Sequence, residues 1–145
     1  MIMIKVKKIR ENAILPTRAT PGSVGADLYA CLDEEKLIYP GCIGKIPLGF
    51  SAQIPEGYAG LIFARSGLAT QYGIAPANKV GVIDPDYRGE WMVALYNHSE
   101  FIYHVNHGDR IAQLVIVPCL IDDFIRVDEL SETDRGTGGF GSTGK

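Results

Sequence analysis

The chain reads as an all-β single domain, a distorted β-barrel or jelly roll with a flexible glycine-rich arm at its C-terminal end. Three observations carry that reading. Apolar residues recur at every second position in stretch after stretch of the 145 residues, which is the period of a half-buried strand. No window holds a long apolar stripe at helical spacing, so no long amphipathic helix is expected. Turn signals such as Pro40-Gly41, Pro55-Glu56-Gly57 and His107-Gly108-Asp109 lie close together, and short strands joined by close turns belong to barrels and jelly rolls.

Taken in order, Ile2, Ile4 and Val6 alternate with Lys5 and Lys7 and predict an opening strand. Strands follow over Ala26–Cys31, over Ile43–Ile54 once Pro40-Gly41 has turned the chain, and over Tyr58–Ala64 beyond Pro55-Glu56-Gly57. Leu68–Tyr72 fits a single helical turn. Further strands are predicted over Asn78–Ile83, Trp91–Asn97, Phe101–Val105, Ile111–Pro118 and Phe124–Val127. There is no internal repeat and no linker; residues 1–134 form the domain and 135–145 the arm.

Composition narrows the possible partners. A net charge of −3 and a pI near 5.6 exclude broad binding to nucleic acid or to a membrane surface, because affinity for a phosphate backbone needs a basic face. An anionic ligand must therefore meet a small local group of guanidinium and N–H donors. Cys31, Cys42 and Cys119 are odd in number and lack C-x-x-C spacing, which favours small core residues in a reducing, cytoplasmic compartment. The N-terminal stretch has no apolar signal-peptide core. The longest apolar run, Ile111 to Ile121, holds Gln113 and Pro118 and is too short to span a bilayer. His98, His104 and His107 lack a zinc-like spacing and read as surface residues.

The arm, Arg135-Gly-Thr-Gly-Gly-Phe-Gly-Ser-Thr-Gly-Lys145, cannot form a packed core. Such a tail is either a disordered end or a segment built to close over a ligand. Its parts suit a nucleotide: glycines let N–H groups approach phosphate, Arg135 can fork onto phosphate, and Phe140 can stack on a base. Gly136-x-Gly138-x-x-Gly141 has dinucleotide-fingerprint spacing but no following helix to receive a pyrophosphate.

Other residues stand out from their surroundings. In the strand Ile111–Pro118, Ile111, Gln113, Val115 and Val117 share a face, so an amide sits on an apolar, buried stripe and needs a partner, whether structural or a ligand or water. Asp84-Pro85-Asp86-Tyr87-Arg88-Gly89 reads as a hairpin turn, yet Pro85 biases Asp84 towards an extended conformation directly after an apolar run. An Asp so placed can take a proton from water. Arg65-Ser66-Gly67 follows a strand and opens a turn, where it is a cap or a phosphate site. Asp27 begins a strand and suits either an ion pair or contact with a metal or water.

In this order, Gly25-Ala-Asp-Leu-Tyr, Ala64-Arg-Ser-Gly-Leu-Ala, Gly81-Val-Ile-Asp-Pro-Asp-Tyr-Arg-Gly, Gly108-Asp-Arg-Ile-Ala-Gln-Leu and Arg135-Gly-Thr-Gly-Gly-Phe-Gly-Ser-Thr-Gly resemble the motifs of the trimeric dUTPase family across nearly the whole chain. The resemblance implies a jelly-roll-like homotrimer that hydrolyses dUTP to dUMP and pyrophosphate with Mg²⁺, each active site being shared between chains. It implies that Asp84 activates the attacking water and that Gln113 holds that water or the α-phosphate. Arg65, Ser66 and Gly67 resemble the phosphate loop, and Asp27 the carboxylate that meets the metal through water. Asn78 resembles the side chain at the uracil edge, with backbone of an Ala77–Met92 hairpin beside it, and Tyr87 the ring that packs on deoxyribose. Phe140 would cover the uracil while Arg135, Gly141, Ser142 and Thr143 meet the phosphates. Val24 and the bulky Trp91 depart from the family pattern. A deoxycytidine triphosphate deaminase resembles the same fold, and a non-catalytic nucleotide sensor would keep the phosphate contacts while losing the base.

Overall fold

The structure of the protein, a computed structural model, describes residues 3–141. Among these it holds eleven strands and one helix: β1 (Lys5–Lys8), β2 (Ala26–Tyr29), β3 (Lys36–Ile38), β4 (Ile43–Pro47), β5 (Phe50–Gln53), β6 (Tyr58–Phe63), α1 (Ser66–Tyr72), β7 (Ile74–Pro76), β8 (Gly81–Ile83), β9 (Met92–Asn97), β10 (Tyr103–Val105) and β11 (Arg110–Pro118). The largest sheet runs β2-β11-β6-β8, a second runs β4-β9-β7, and β1 with β5 and β10 with β3 form pairs. Every pairing is antiparallel. The all-β expectation holds, in a jelly-roll-like arrangement and not a closed barrel.

Proline and glycine explain where pairing stops. Pro47, Pro76 and Pro118 each occupy the last position of a strand, where a missing N–H costs no ladder bond. The single strand expected over Ile43–Ile54 is two strands, because Pro47 ends the first and Gly49, at φ 74°, reverses the chain before the second. The strand expected over Asn78–Ile83 begins only at Gly81, after a turn in which Lys79 has φ 65°. Phe124–Val127 forms no strand: Phe124 is fully exposed, and residues 119–134 find no sheet edge within their own chain. Ile2 lies outside the described residues.

The core lies between the sheets. Leu28, Ile46, Leu48, Phe50 and Leu95 are fully buried and belong to one apolar cluster, each contributing roughly 1.5–3 kcal/mol by burial. Trp91 joins them, its ring 5.3 Å from that of Phe50. It donates its backbone N–H to Phe50 O and accepts from Leu48 N–H, both at 2.9 Å. The indole is therefore core and not a wall of the hairpin, which accounts for a bulky residue there. Asn97 is the buried polar residue among those described, and its amide is fully engaged. Its Nδ2 donates to Ile38 O (2.8 Å) and Phe101 O (2.7 Å), while its Oδ1 accepts from Ser99 N–H (2.9 Å) and Oγ–H (2.8 Å).

One irregularity positions the site. Between β2 and β11 the register steps from Tyr29↔Arg110 to Leu28↔Ala112, leaving Ile111 as an extra residue in a bulge. Ile111 and Ala112 are consequently both buried. The bulge shifts the alternation by one, so the buried face of β11 carries Ala112 and Leu114, and Gln113 lies on the half-buried opposite face instead of the expected apolar stripe.

Candidate active site

β2 alternates buried and half-buried residues, which puts Ala26 and Leu28 in the core and Asp27 and Tyr29 on the outer face. Asp27 is directly opposite Gln113 across the β2–β11 ladder. The bulge brings Arg110 to the same outer face as Gln113, although a spacing of three would separate them in a regular strand. On its other side Gln113 pairs with Phe63, the last residue of β6, and the chain then passes through Ala64 and Arg65 into α1. Arg65, with φ −85° and ψ 133°, is still extended at the helix start.

These side chains meet. Arg65 Nε donates to Asp27 Oδ1 at 2.9 Å, and Arg110 Nη1 to Asp27 Oδ2 at 3.4 Å. Arg65 Nη1 also donates to the Arg110 carbonyl at 3.4 Å. Gln113 Nε2 donates to Ala64 O at 2.8 Å, so the amide has the structural partner that its burial requires while its Oε1 stays available. Gly25 makes this possible, since a Cβ there would run into Gln113 Oε1. The result is a polar cleft of ≈ 390 Å³ whose walls include Asp27, Arg65, Ser66, Gly67, Arg110 and Gln113. Ser66 and Gly67 are exposed in the first turn of α1, which has no acidic residue, so its N–H groups without helical partners face no carboxylate of their own turn. Guanidinium and N–H donors around an open cleft suit an anion.

Asp84 is elsewhere. It follows β8, lies exposed in the turn closed by Tyr87 N–H to Asp84 O at 3.2 Å, and borders a separate cleft of ≈ 760 Å³ with Val82, Asp86, Arg88 and Leu120. None of the residues lining this cleft lines the first. β8 and β9 do not pair as a hairpin: β8 joins β6, β9 joins β4 and β7, and residues 84–91 cross between the two sheets. Tyr87 is partly exposed, with its hydroxyl donating to Glu90 O at 3.2 Å. Asn78 is exposed in the β7–β8 turn, its amide folded back towards Gly81.

The described part of the arm curls on itself. Arg135 Nε donates to Gly138 O at 2.9 Å, Gly138 N–H donates to Arg135 O at 3.0 Å, and Phe140 and Gly141 have φ 51° and 87°. Phe140 is fully exposed. Ser142 and Thr143 lie outside the described residues. Among the described residues one chain thus gathers Asp27, Arg65, Ser66, Gly67 and Gln113 at one cleft, and leaves Asp84, Asn78, Tyr87 and residues 135–141 of the arm outside its lining. Arg110 escaped the sequence reading although it stands inside the quoted Gly108–Leu114 motif, because regular alternation puts it on the wrong face. Among the described residues no group of three or more His, Cys, Asp or Glu is placed to hold a metal ion, and no helix is long and apolar enough to cross a membrane.

Comparison with known proteins identifies the family of the chain. The dUTPase family model matches residues 11–144. The chain is 51% identical over 146 aligned positions to a deoxyuridine 5′-triphosphate nucleotidohydrolase of Desulfitobacterium hafniense, an alignment covering 99% of this chain and 97% of that protein. Its fold is similar to that of the Staphylococcus bacteriophage 80alpha dUTPase with dUPNHPP, at a TM-score of 0.90, 29% identity and 99% coverage of both chains. It is also similar to a mutant dUTPase from phage phi11 of S. aureus, described with the coordination of a structural Mg(II) ion, at a TM-score of 0.81 and 26% identity over 90% of this chain and 99% of that one.

Proposed function

This chain belongs to the dUTPase family and is a dUTP diphosphatase, and we propose that it works by attack of an Asp84-activated water on the α-phosphorus, giving dUMP and pyrophosphate. Asp84 takes the proton, the water oxygen bonds to the α-phosphorus, and the bond to the bridging oxygen breaks with its electron pair leaving on pyrophosphate. Gln113 holds the water or the α-phosphate through the amide atoms that Ala64 leaves available. Arg65, Ser66 and Gly67 bind the phosphates, and the arm brings Arg135, Gly141, Ser142 and Thr143 to them. Asn78 reads the uracil edge, Tyr87 packs on the deoxyribose, and Phe140 covers the base.

Mg²⁺ fits the donor set. Asp27 already accepts from two guanidiniums, and its remaining lone pairs suit water. Such a carboxylate matches an ion that keeps much of its water and takes its other oxygens from triphosphate. When bound, the ion withdraws charge from the phosphate oxygens. Arg65 and Arg110 offset further negative charge at the same cleft.

The active unit in this reading is a homotrimer whose sites are shared between chains, with residues 1–134 as the body and 135–145 as the closing arm. The separation of Asp84 from Gln113 within one chain supports it. So do the large apolar residues of 120–130, with Leu120, Phe124 and Leu130 each more than 80% exposed, since surface of that kind marks a contact. Nucleic acid and membrane play no part, in keeping with the net charge of −3. Free thiols at Cys31, Cys42 and Cys119 fit work in the cytoplasm.

The observation that carries the proposal is the convergence of Asp27, Arg65, Arg110 and Gln113 on one polar cleft. Incubating the protein with each deoxynucleoside triphosphate and Mg²⁺, and assaying pyrophosphate and ammonia, tests it. Pyrophosphate from dUTP alone is expected; ammonia from dCTP indicates a deaminase, and binding without products a sensor.

A further inference from the structure

Arg10, which the reaction does not use, is fixed on both sides by its backbone: its N–H donates to Gly49 O at 3.0 Å and its carbonyl accepts from Ala13 N–H at 3.1 Å. Its guanidinium forks onto Glu90, with Nε at 2.8 Å from Oε1 and Nη2 at 3.2 Å from Oε2. A forked pair fixes the plane of the carboxylate as well as its distance. The hydrogen bond to Glu90 also raises the pKa of Arg10 above its ordinary value.

Glu90 in turn holds Tyr87. The Glu90 carbonyl accepts the Tyr87 hydroxyl at 3.2 Å. The ring lies so close over Gly89 that a Cβ there would come within 2.6 Å of Cζ and 2.9 Å of Cε2. On the other side of Glu90, Trp91 is tied to Phe50 and Leu48 by backbone hydrogen bonds. Glu90 therefore has its side chain held by the N-terminal segment and its C-terminal neighbour held by the core. The Tyr87 ring rests on what remains.

We propose that Arg10 and Glu90 are positioning residues that set the Tyr87 ring and thereby the rejection of a ribonucleotide's 2′-hydroxyl. The inference rests on the reading of Tyr87 as the surface that packs on deoxyribose. A partly exposed ion pair contributes little to stability by itself, so its role shows in selectivity. The Glu90 carbonyl shares a planar peptide with the Trp91 N–H that Phe50 O holds, so without the fork residues 87–90 keep only that one anchor, their chain loosens ahead of it, the Tyr87 hydroxyl contact lengthens and the ring retreats enough to admit the extra oxygen.

The test is kcat/KM for dUTP, UTP and dCTP, with Tm, in Arg10→Met, Arg10→Lys, Glu90→Gln, Tyr87→Phe and Tyr87→Ala. Arg10→Met and Glu90→Gln should lower the dUTP/UTP ratio by about fivefold, a typical coupling within one hydrogen-bonded network, and leave the dUTP/dCTP ratio unchanged. Arg10→Lys should fall between, because an ammonium cannot fork. In a Tyr87→Phe background Arg10→Met should add little. An unchanged dUTP/UTP ratio, or an equal fall in both ratios, overturns the proposal, and Arg10→Lys with Glu90→Gln decide it if Arg10→Met does not fold. Tyr87→Ala separates the two levels: if it lowers UTP rejection while the Arg10 and Glu90 variants do not, the positioning role alone is wrong; if it leaves UTP rejection intact, the sugar-packing reading fails and this inference with it.

Discussion

Asp84 and Gln113 stand on opposite sides of β6 and at different levels along it. Ile83, just before Asp84, pairs with Gly60, whereas Gln113 pairs with Phe63. At ~3.3 Å per residue the two levels are roughly 10 Å apart along the strand before the sideways distance is added. A water cannot touch both within one chain.

Complementation between inactive variants follows if base and arm at one site come from different chains. Asp84→Asn and a deletion from Arg135 onward should each be inactive, yet regain activity when unfolded and refolded together. If the active unit is the proposed homotrimer, equal mixing gives about three quarters mixed trimers, and in each one of the ordered neighbour pairs joins an intact base to an intact arm, so roughly one quarter of sites should recover under cyclic symmetry. Activity at background, with mixed trimers confirmed by mass, places base and arm on the same chain.

Asp84→Asn alone should bind dUTP normally and turn it over at least ~10²-fold more slowly, the scale of a lost general base. Single-turnover kinetics alongside equilibrium binding measure both. A near-normal rate removes Asp84 from its role.

Gly25→Ala should act on the rate with little effect on the fold. The new methyl meets the end of the Gln113 side chain, which is flexible enough to move but not to stay in place. Displacement of a positioning group commonly costs about tenfold to a hundredfold. The kcat should fall on that scale while Tm stays within a few degrees; unchanged kcat shows that Gln113 need not sit where it does.

Asn97→Ala should destabilise the protein by about 2–4 kcal/mol in urea titrations. The substitution strands the Ile38 carbonyl and the Ser99 N–H, while Phe101 O keeps the Ser99 hydroxyl at 3.1 Å, and unsatisfied buried groups cost about 1–3 kcal/mol each before relaxation. A loss below about 1 kcal/mol indicates that water reaches these groups.

The thiols should differ in reactivity. Cys31 is buried, its Sγ donates to Asn12 Oδ1 at 3.2 Å, and burial raises its pKa, whereas Cys42 is exposed. Thiolate is the reacting form, so iodoacetamide at neutral pH should label Cys42 well before Cys31, as peptide mass mapping will show. Equal rates would mean that the segment around Cys31 opens readily.

Strand positions were legible where alternation and turn residues agreed, as at β2, β6 and β9. The three-residue β3 and β7 were not legible, because so short a stretch scarcely shows a period, and the equally short β8 and β10 were found only inside longer expected strands. Asp27, Arg65 and Gln113 were legible as polar residues next to apolar runs. Their grouping was not, because it depends on which strands become neighbours, and the face taken by Gln113 depends on a bulge with no turn residue to mark it. Phe124–Val127 has the composition of a strand, but pairing needs an edge that its own chain does not offer.

The bulge at Ile111 also sets what kind of genetic change this site can survive. Substituting Ile111 by another aliphatic residue alters packing locally, whereas losing one codon there leaves Arg110 and Gln113 two positions apart, still on one face of a now regular strand, but takes a buried side chain out of the core. Such a deletion should thus persist among functioning descendants only where apolar volume is regained nearby. What the extra residue bequeaths is the filling of the core.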